Sequence, residues 1–363
     1  CKVCKKGHSI TYCSEVCQVE DWPRHKDNCV PVMVTEVGEM GRGLVAAKDI
    51  KMGEQILIDS VVISLDLNWI SQANGSIMTR KVPRSLKEQI QALPEEKASQ
   101  FHDLQSEVNI IFSERDLRTL RKENCLTEMK AFRSNRIESE KGDLLFFVLS
   151  RINHSCAPNV DECSLPKESK EKENVNQHEL RAIKDISKGE EITIFYLNFF
   201  TSIDSKQLRR EYLKEKFGFQ CKCRVCRGHV DDQDSIIEKI AKIFMMDILI
   251  SPWAYRYKAS SDEWKRLAIK GGIVMSLSQQ LHIGSVKIKI KFCEAAATAA
   301  QMARDPVLLN KAMDAWKELV MTTGFEKLRL EYEKIEEKIA EWAPQFNSKK
   351  PPTKEEIDSF YDD

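Results

Sequence analysis

Apolar and polar positions alternate along Gly41-Arg42-Gly43-Leu44-Val45-Ala46, and a glycine turn through Lys51-Met52-Gly53-Glu54 follows. A period of two broken by glycine predicts a short β-hairpin, in which Gly41 and Gly43 let backbone approach a ligand closely. Residues 144–149 form a continuous apolar run that reads as buried, and residues 189–196 (GEEITIFY) read as a strand with Tyr196 at its end. Between about residues 65 and 130 the pattern turns helical and charged, including 83–93 and 95–108. From about Ser235 the chain reads as all-helical. Leu309, Ala312, Met313, Trp316 and Leu319 recur at helical spacing, as do Leu328, Tyr332, Ile335, Ile339 and Trp342, and both stripes predict helix-packing core. Residues 165–177 (LPKESKEKENVNQ) are too polar to bury, and the tail from Asn347, with Pro351-Pro352 and an acidic end, is expected to be loosely ordered.

Length and charge narrow the function classes. With 363 residues, 42% apolar and 31% charged, the chain is large enough for two or three packed units. Lys plus Arg equals Asp plus Glu at 56 each, so no global field favours nucleic acid, and another protein is the default partner. No run approaches the roughly 18 to 20 apolar residues that cross a bilayer. The chain opens on cysteines where a signal peptide would have an apolar core, which predicts an intracellular protein, cytoplasmic and nuclear.

The 12 cysteines cluster rather than spread. Thiolate and imidazole ligands run Cys1-x2-Cys4-x8-Cys13-x3-Cys17-x7-His25-x3-Cys29, and Cys221-x-Cys223-x2-Cys226 forms a second group. Such spacings suit tetrahedral zinc, because a short loop or one helical turn lets two ligands converge on one metal. Cys125, Cys163 and Cys293 stand outside any ligand pattern and read as buried reduced thiols.

Residues 12–29, YCSEVCQVEDWPRHKDNC, resemble the second half of a MYND finger. That resemblance implies two zincs held by eight ligands in interleaved pairs, of which six are visible. Either Cys1 and Cys4 are the first pair and share a zinc with Cys13 and Cys17, or they are the second pair and join His25 and Cys29. A start on a ligand without methionine suggests a truncated finger, while the eight-residue spacer favours the first arrangement and carries His8 as a substitute ligand.

A longer resemblance follows. Arg151-Ile152-Asn153-His154-Ser155-Cys156-Ala157-Pro158-Asn159, then Glu179-Leu180-Arg181-Ala182-Ile183, then Gly189-Glu190-Glu191-Ile192-Thr193-Ile194-Phe195-Tyr196, then the Cys221 group follow the signature order of SET methyltransferases. The resemblance covers about residues 35 to 230 and implies an S-adenosylmethionine site threaded like a knot beneath a neighbouring loop. By carry-over, Gly41, Arg42 and Gly43 lie along the donor, and Asn153 and His154 bind it through backbone and side chain. Asn135 and Ser150 fall at further donor positions, and Phe219 packs on the donor or lines the channel with Phe217 and Tyr196. Cys156 supplies the fourth ligand of a zinc with Cys221, Cys223 and Cys226, which pins the following segment over the site.

Tyr196 then has a physical role. Methyl transfer needs a neutral amine, yet free lysine titrates near 10.4. A narrow, dry channel beside a sulfonium depresses that value by burial and like charge. A phenol there aligns the amine, and no strong base is required.

These readings predict an α+β chain, with a β-rich SET fold, a helical insertion, small zinc modules and an all-α carboxy-terminal domain. The expected divisions are a MYND-type finger at 1–30, a SET domain at 31–200 with its insertion at about 65–130, a zinc segment at 201–230, helices at 231–345 and a tail at 346–363. The expected function is methylation of a protein lysine with S-adenosylmethionine, with two to three structural zincs. The alternative is a weakly catalytic MYND and SET scaffold that recruits partners, including proline-rich peptides, in transcriptional regulation. Neither a membrane nor direct nucleic-acid binding is expected.

Overall fold

The computed structural model describes residues 31–38, 41–65, 81–104, 112–139, 142–166, 177–197, 206–227, 260–281 and 284–342. Cys1, Cys4, Cys13, Cys17, His25 and Cys29 lie outside these residues, as do the tail from Asn347 and most of the polar loop at 165–177. The fold is α+β, as expected.

Three small sheets form the β-rich part. In the first, β1 (Val32–Glu36) and β2 (Arg42–Ala46) make the expected hairpin, but upstream of where the glycine pattern pointed. Their register runs from Val32 opposite Ala46 to Glu36 opposite Arg42, and Val37 N donates to Gly41 O at 2.6 Å across the turn. The Gly53 turn instead leaves this sheet. Gly53 N donates to Ala182 O at 2.8 Å, and the chain enters β3 (Gln55–Ser60), which pairs with β9 (Gln177–Ala182). β8 (Val160–Ser164) closes that second sheet, and the third is β4 (Ile63–Leu65), β6 (Gly142–Leu145) and β5 (Ile137–Ser139). Leu44, Ile50, Leu144, Phe146, Ile152, Leu180 and Ile192 share one core, so the apolar run at 144–149 is buried as predicted.

The insertion is helical: α1 (Lys81–Gln91), α2 (Glu95–His102), α3 (Glu114–Lys122) and α4 (Leu126–Asn135). Pro83 is tolerated inside α1 because it sits in the first turn, where no intrahelical N–H bond is lost. Ser113 caps α3 by accepting from Asp116 N at 3.1 Å. Leu86, Phe101, Leu120, Met129 and Phe132 pack on Ile63 and Leu145 of the third sheet and on Phe147 beyond it, forming a core of their own.

The carboxy-terminal helices are α7 (Ser261–Leu281), α8 (Val286–Met302), α9 (Pro306–Thr323) and α10 (Glu326–Trp342); α5 (Lys206–Phe217) and the single turn α6 (Arg224–Arg227) precede them. Asp305 caps α9 with Pro306 in its first turn, and Gly324 ends it in the left-handed region. The predicted stripe Leu309, Ala312, Met313, Trp316 and Leu319 is buried, and Leu328 and Tyr332 of α10 meet it. Cys163 of β8 joins this core, which ties the helices to the second sheet. Burial pushes the Cys125, Cys163 and Cys293 thiols up to about 12, as expected of inert reduced cysteines. Among the described residues no helix is long and apolar enough to cross a membrane.

Candidate active site

Strand β10 (Glu191–Ile194) gathers pieces that lie far apart in sequence. On one side it pairs antiparallel with β2, Glu191 opposite Val45 and Ile192 opposite Leu44. On the other it pairs parallel with the two-residue β7 (Asn153–His154), Thr193 opposite Asn153 and Ile194 opposite His154. The glycine hairpin, the Asn153-His154 pair and Tyr196 thereby converge at one strand end.

Side chains lock this arrangement. Asn153 Nδ2 donates to Glu191 Oε1 at 2.8 Å, and an atom built as Cβ on Gly43 would sit 2.6 Å from that same Nδ2. Only glycine lets β2 approach Asn153 so closely. Buried Asn159 satisfies three partners: its Nδ2 donates to Glu190 Oε1 at 3.0 Å and Glu191 O at 2.8 Å, and its Oδ1 accepts from Thr193 N at 2.8 Å. Asp59 of β3 accepts from Val148 N at 2.8 Å and Leu149 N at 3.0 Å, fixing the 3-10 turn Leu149–Arg151 that delivers Asn153. Burial raises the Asp59 carboxyl, and those backbone donors pull against it.

Tyr196 is held at both ends. Its backbone N donates to His154 Nδ1 at 3.0 Å, and its hydroxyl donates to Ile152 O in a short hydrogen bond. Its ring centroid lies 5.1 Å from that of Phe217, 5.3 Å from His154 and 6.4 Å from Phe219. Burial, then the charge of Glu191, raises the phenol above its ordinary 10.0, so it acts as a neutral donor.

Cys156, Cys221, Cys223 and Cys226 converge, their sulfur atoms all within 4.8 Å of one another and Cys156 3.6 Å from Cys226. Four thiolates at about 2.3 Å from one zinc stand about 3.8 Å apart, so the widest pair needs to close by only about 1 Å. The donor set therefore fits zinc, with Cys156 in the role that the resemblance implied. Phe217 ends α5 and Phe219 stands two residues before Cys221, so this cluster positions both rings beside Tyr196.

The remaining site candidates are more dispersed. Gly41 lies in the β1–β2 turn, and Arg42 is mostly exposed beside Glu36 at 3.8 Å. Ser150 Oγ accepts from Phe146 N at 3.3 Å inside the 3-10 turn, and Asn135 closes α4 with its amide donating to Ala131 O at 2.8 Å. Sequence reading missed Asp59, Glu191 and Asn159 as site supports. Glu191 and Asn159 stand inside quoted motifs and could have been found there, whereas Asp59 carries no local signal.

The chain is similar to known proteins over part of its length. The SET domain family model matches residues 41–197 and the MYND finger model matches residues 1–29. Zebrafish (Danio rerio) protein-lysine N-trimethyltransferase SMYD5 is 38% identical over 28% of this chain and 25% of its own length. Mouse (Mus musculus) histone-lysine N-methyltransferase SMYD3 is 26% identical over 64% of this chain and 50% of its own. A solved SET domain of LSMT bound to lysine and AdoHcy is 14% identical over 93% of each chain, with a TM-score of 0.38. The chain thus carries a SET domain over residues 41–197 and a MYND finger over residues 1–29, and it is similar to SET and MYND domain lysine methyltransferases. It spans about a quarter to a half of the length of these curated relatives.

Proposed function

We propose that the chain is an S-adenosylmethionine-dependent protein lysine N-methyltransferase in which zinc is purely structural, with two to three ions per chain. The observation that carries this reading is Tyr196: a half-buried neutral phenol just past a strand end, walled by Phe217 and Phe219, one strand away from the Asn153–Gly43 contact. Room for the donor is consistent with the hairpin, since a Cβ built on Gly41 meets no atom within 4 Å. Gly41, Arg42, Gly43 and Asn153 would hold the donor, which supplies an electrophilic methyl group when bound.

The chain's own residues do the rest. The aromatic wall excludes water and depresses the ammonium of an incoming lysine toward its neutral form, while ring faces attract the alkylammonium that reaches it. Tyr196 is fixed by two hydrogen bonds and orients the amine without reorganising, and alignment supplies the acceleration. The incoming lysine sheds its proton to solvent outside the channel, before the aromatic wall closes around the neutral amine, so the phenol needs no loss of its own.

A protein bearing the target lysine is the substrate in this reading. The amino-terminal finger recruits proline-rich partners, and the protein works in cytoplasm and nucleus. Incubating the full chain with labelled donor and cell extract tests the activity, with donor binding measured alongside by calorimetry. Labelled protein that disappears with Tyr196→Phe is expected. Absence of donor binding by the wild-type chain overturns the proposal.

A further inference from the structure

His154, with Asn153, was expected to bind the donor through backbone and side chain, but both of its ring nitrogens already have protein partners. Nδ1 is the acceptor of the Tyr196 backbone N–H at 3.0 Å, and Nε2 lies 3.5 Å from Cys156 Sγ. A backbone N–H can only donate, so Nδ1 carries no proton and the neutral ring bears its hydrogen on Nε2. That hydrogen points at the sulfur of a cluster ligand, which is an acceptor once it is a metal-bound thiolate. His154 is 5% exposed, with Phe195, Tyr196 and Phe219 around its ring at centroid distances of 5.6, 5.3 and 6.1 Å, so water has little access to either bond.

We propose that the His154 imidazole is a positioning residue that couples the four-cysteine site to the backbone of Tyr196. One edge of the ring donates to Cys156 and the other accepts from Tyr196, so a ligand sulfur held by metal sets the ring plane and the ring sets the tyrosine. The strand pairing makes the coupling short: Ile194 stands opposite His154, and Ser155 N donates to Ile194 O at 3.0 Å, so Cys156 and Tyr196 are anchored to the same two strands. Hydrogen bonds from groups outside the ligand set orient ligands and tune their electron density in metal sites generally. Any contact from His154 to the donor then falls to its backbone. The inference rests on the reading that Cys156, Cys221, Cys223 and Cys226 hold zinc.

The test uses the full chain and does not depend on methyl transfer. Zinc content is measured first, and a folded chain free of metal at these four cysteines overturns the zinc reading and this one together. In the zinc-loaded, ¹⁵N-histidine-labelled protein, the His154 resonances are expected to report the proton on Nε2; a proton on Nδ1 in a zinc-loaded chain overturns the coupling alone. Two substitutions then separate the two edges in protein loaded with cobalt(II). In His154→Asn the side-chain oxygen takes the place of Nδ1 and nothing reaches Cys156. The thiolate-to-cobalt absorption band moves to longer wavelength, and in the matching zinc protein the Tyr196 amide resonance stays. In His154→Gln the amide nitrogen takes the place of Nε2, so the band stays and the Tyr196 resonance moves. Variants that shift both readouts alike, or neither, overturn the proposal. If neither variant folds, the wild-type tautomer decides.

Discussion

At the scale of single residues, the site depends on close approach and on hydrogen bonds that leave little room for movement. Gly43 is the sharpest case, since a Cβ there would meet Asn153 Nδ2 at 2.6 Å and Val37 Cγ2 at 2.9 Å. Asn153 is tied to Glu191, so it cannot move without losing that bond. Gly43→Ala is therefore expected to cost about 1–3 kcal/mol as an overpacked contact, and to weaken donor binding by roughly tenfold or more on the scale of 1.4 kcal/mol per decade. Calorimetry with the donor checks it, and wild-type affinity would show that Asn153 does not hold the donor. Tyr196→Phe removes the hydroxyl that Ile152 O accepts, at a cost of about 1–3 kcal/mol for an unpaired buried acceptor, read as a lower Tm. Transfer should fall further than donor binding. Because the phenol is raised above 10.0, the wild-type rate profile should show no limb from Tyr196 deprotonation below that pH.

At the scale of elements, Asp59 shows how a strand residue governs a 3-10 turn 89 residues away. Its carboxylate takes two backbone N–H groups at the head of the 3-10 turn, so Asp59→Ala strands both donors. Bonds to a charged acceptor are worth about 1.5–3 kcal/mol each, so the variant should lose stability on that order and protect Val148 and Leu149 amides less in hydrogen exchange. Asp59→Asn keeps one acceptor and should fall between. Unchanged exchange at those two amides would refute the role. This support was not legible in sequence, because a lone acid in a strand has no pattern that names its partners. The Asn153, His154 and Cys156 cluster was legible, since its residues stand within four positions and carry a recognisable order. So were the stripe of α9 and, in α10, Leu328 and Tyr332, where local periodicity decides burial. The hairpin partner was not. Alternation at Gly41 to Ala46 is equally compatible with a strand before or after it, and pairing with β1 and β10 is settled only by contacts distant along the chain. The boundary of α4 likewise ran past the expected residue 130, because Met129, Ala131 and Phe132 found core to bury.

At the scale of the whole molecule, the carboxy-terminal helices are fastened to the SET part through β8, and that seam carries charge. Asp161 Oδ2 accepts from Val286 N at 2.5 Å at the start of α8, Glu162 Oε1 takes Lys287 Nζ at 2.8 Å, and Glu162 Oε2 takes His178. Gly284 N donates to the Cys156 carbonyl at 3.1 Å, so the same seam reaches the four-cysteine cluster. The two carboxylates respond to acid in opposite directions. Burial alone would raise Glu162, but Lys287 and His178 overcome it and hold the carboxyl well below its ordinary 4.5. Burial pushes Asp161 up to about 6, with Lys287 opposing and Glu162 adding to the rise. A depressed acid contributes stability that is present above its unfolded value, so the Glu162 contribution is lost as pH falls below 4.5. A raised acid does the reverse, so the Asp161 contribution grows as pH falls from about 6 toward 3.8. Relative to wild type, Asp161→Asn should remove a rise in stability on acidification from pH 6, and Glu162→Gln should remove a loss below pH 4.5. Denaturant melts of both variants across pH 3.5 to 7 decide the matter. If the two difference curves bend in the same direction, the seam is not the paired device that its geometry describes.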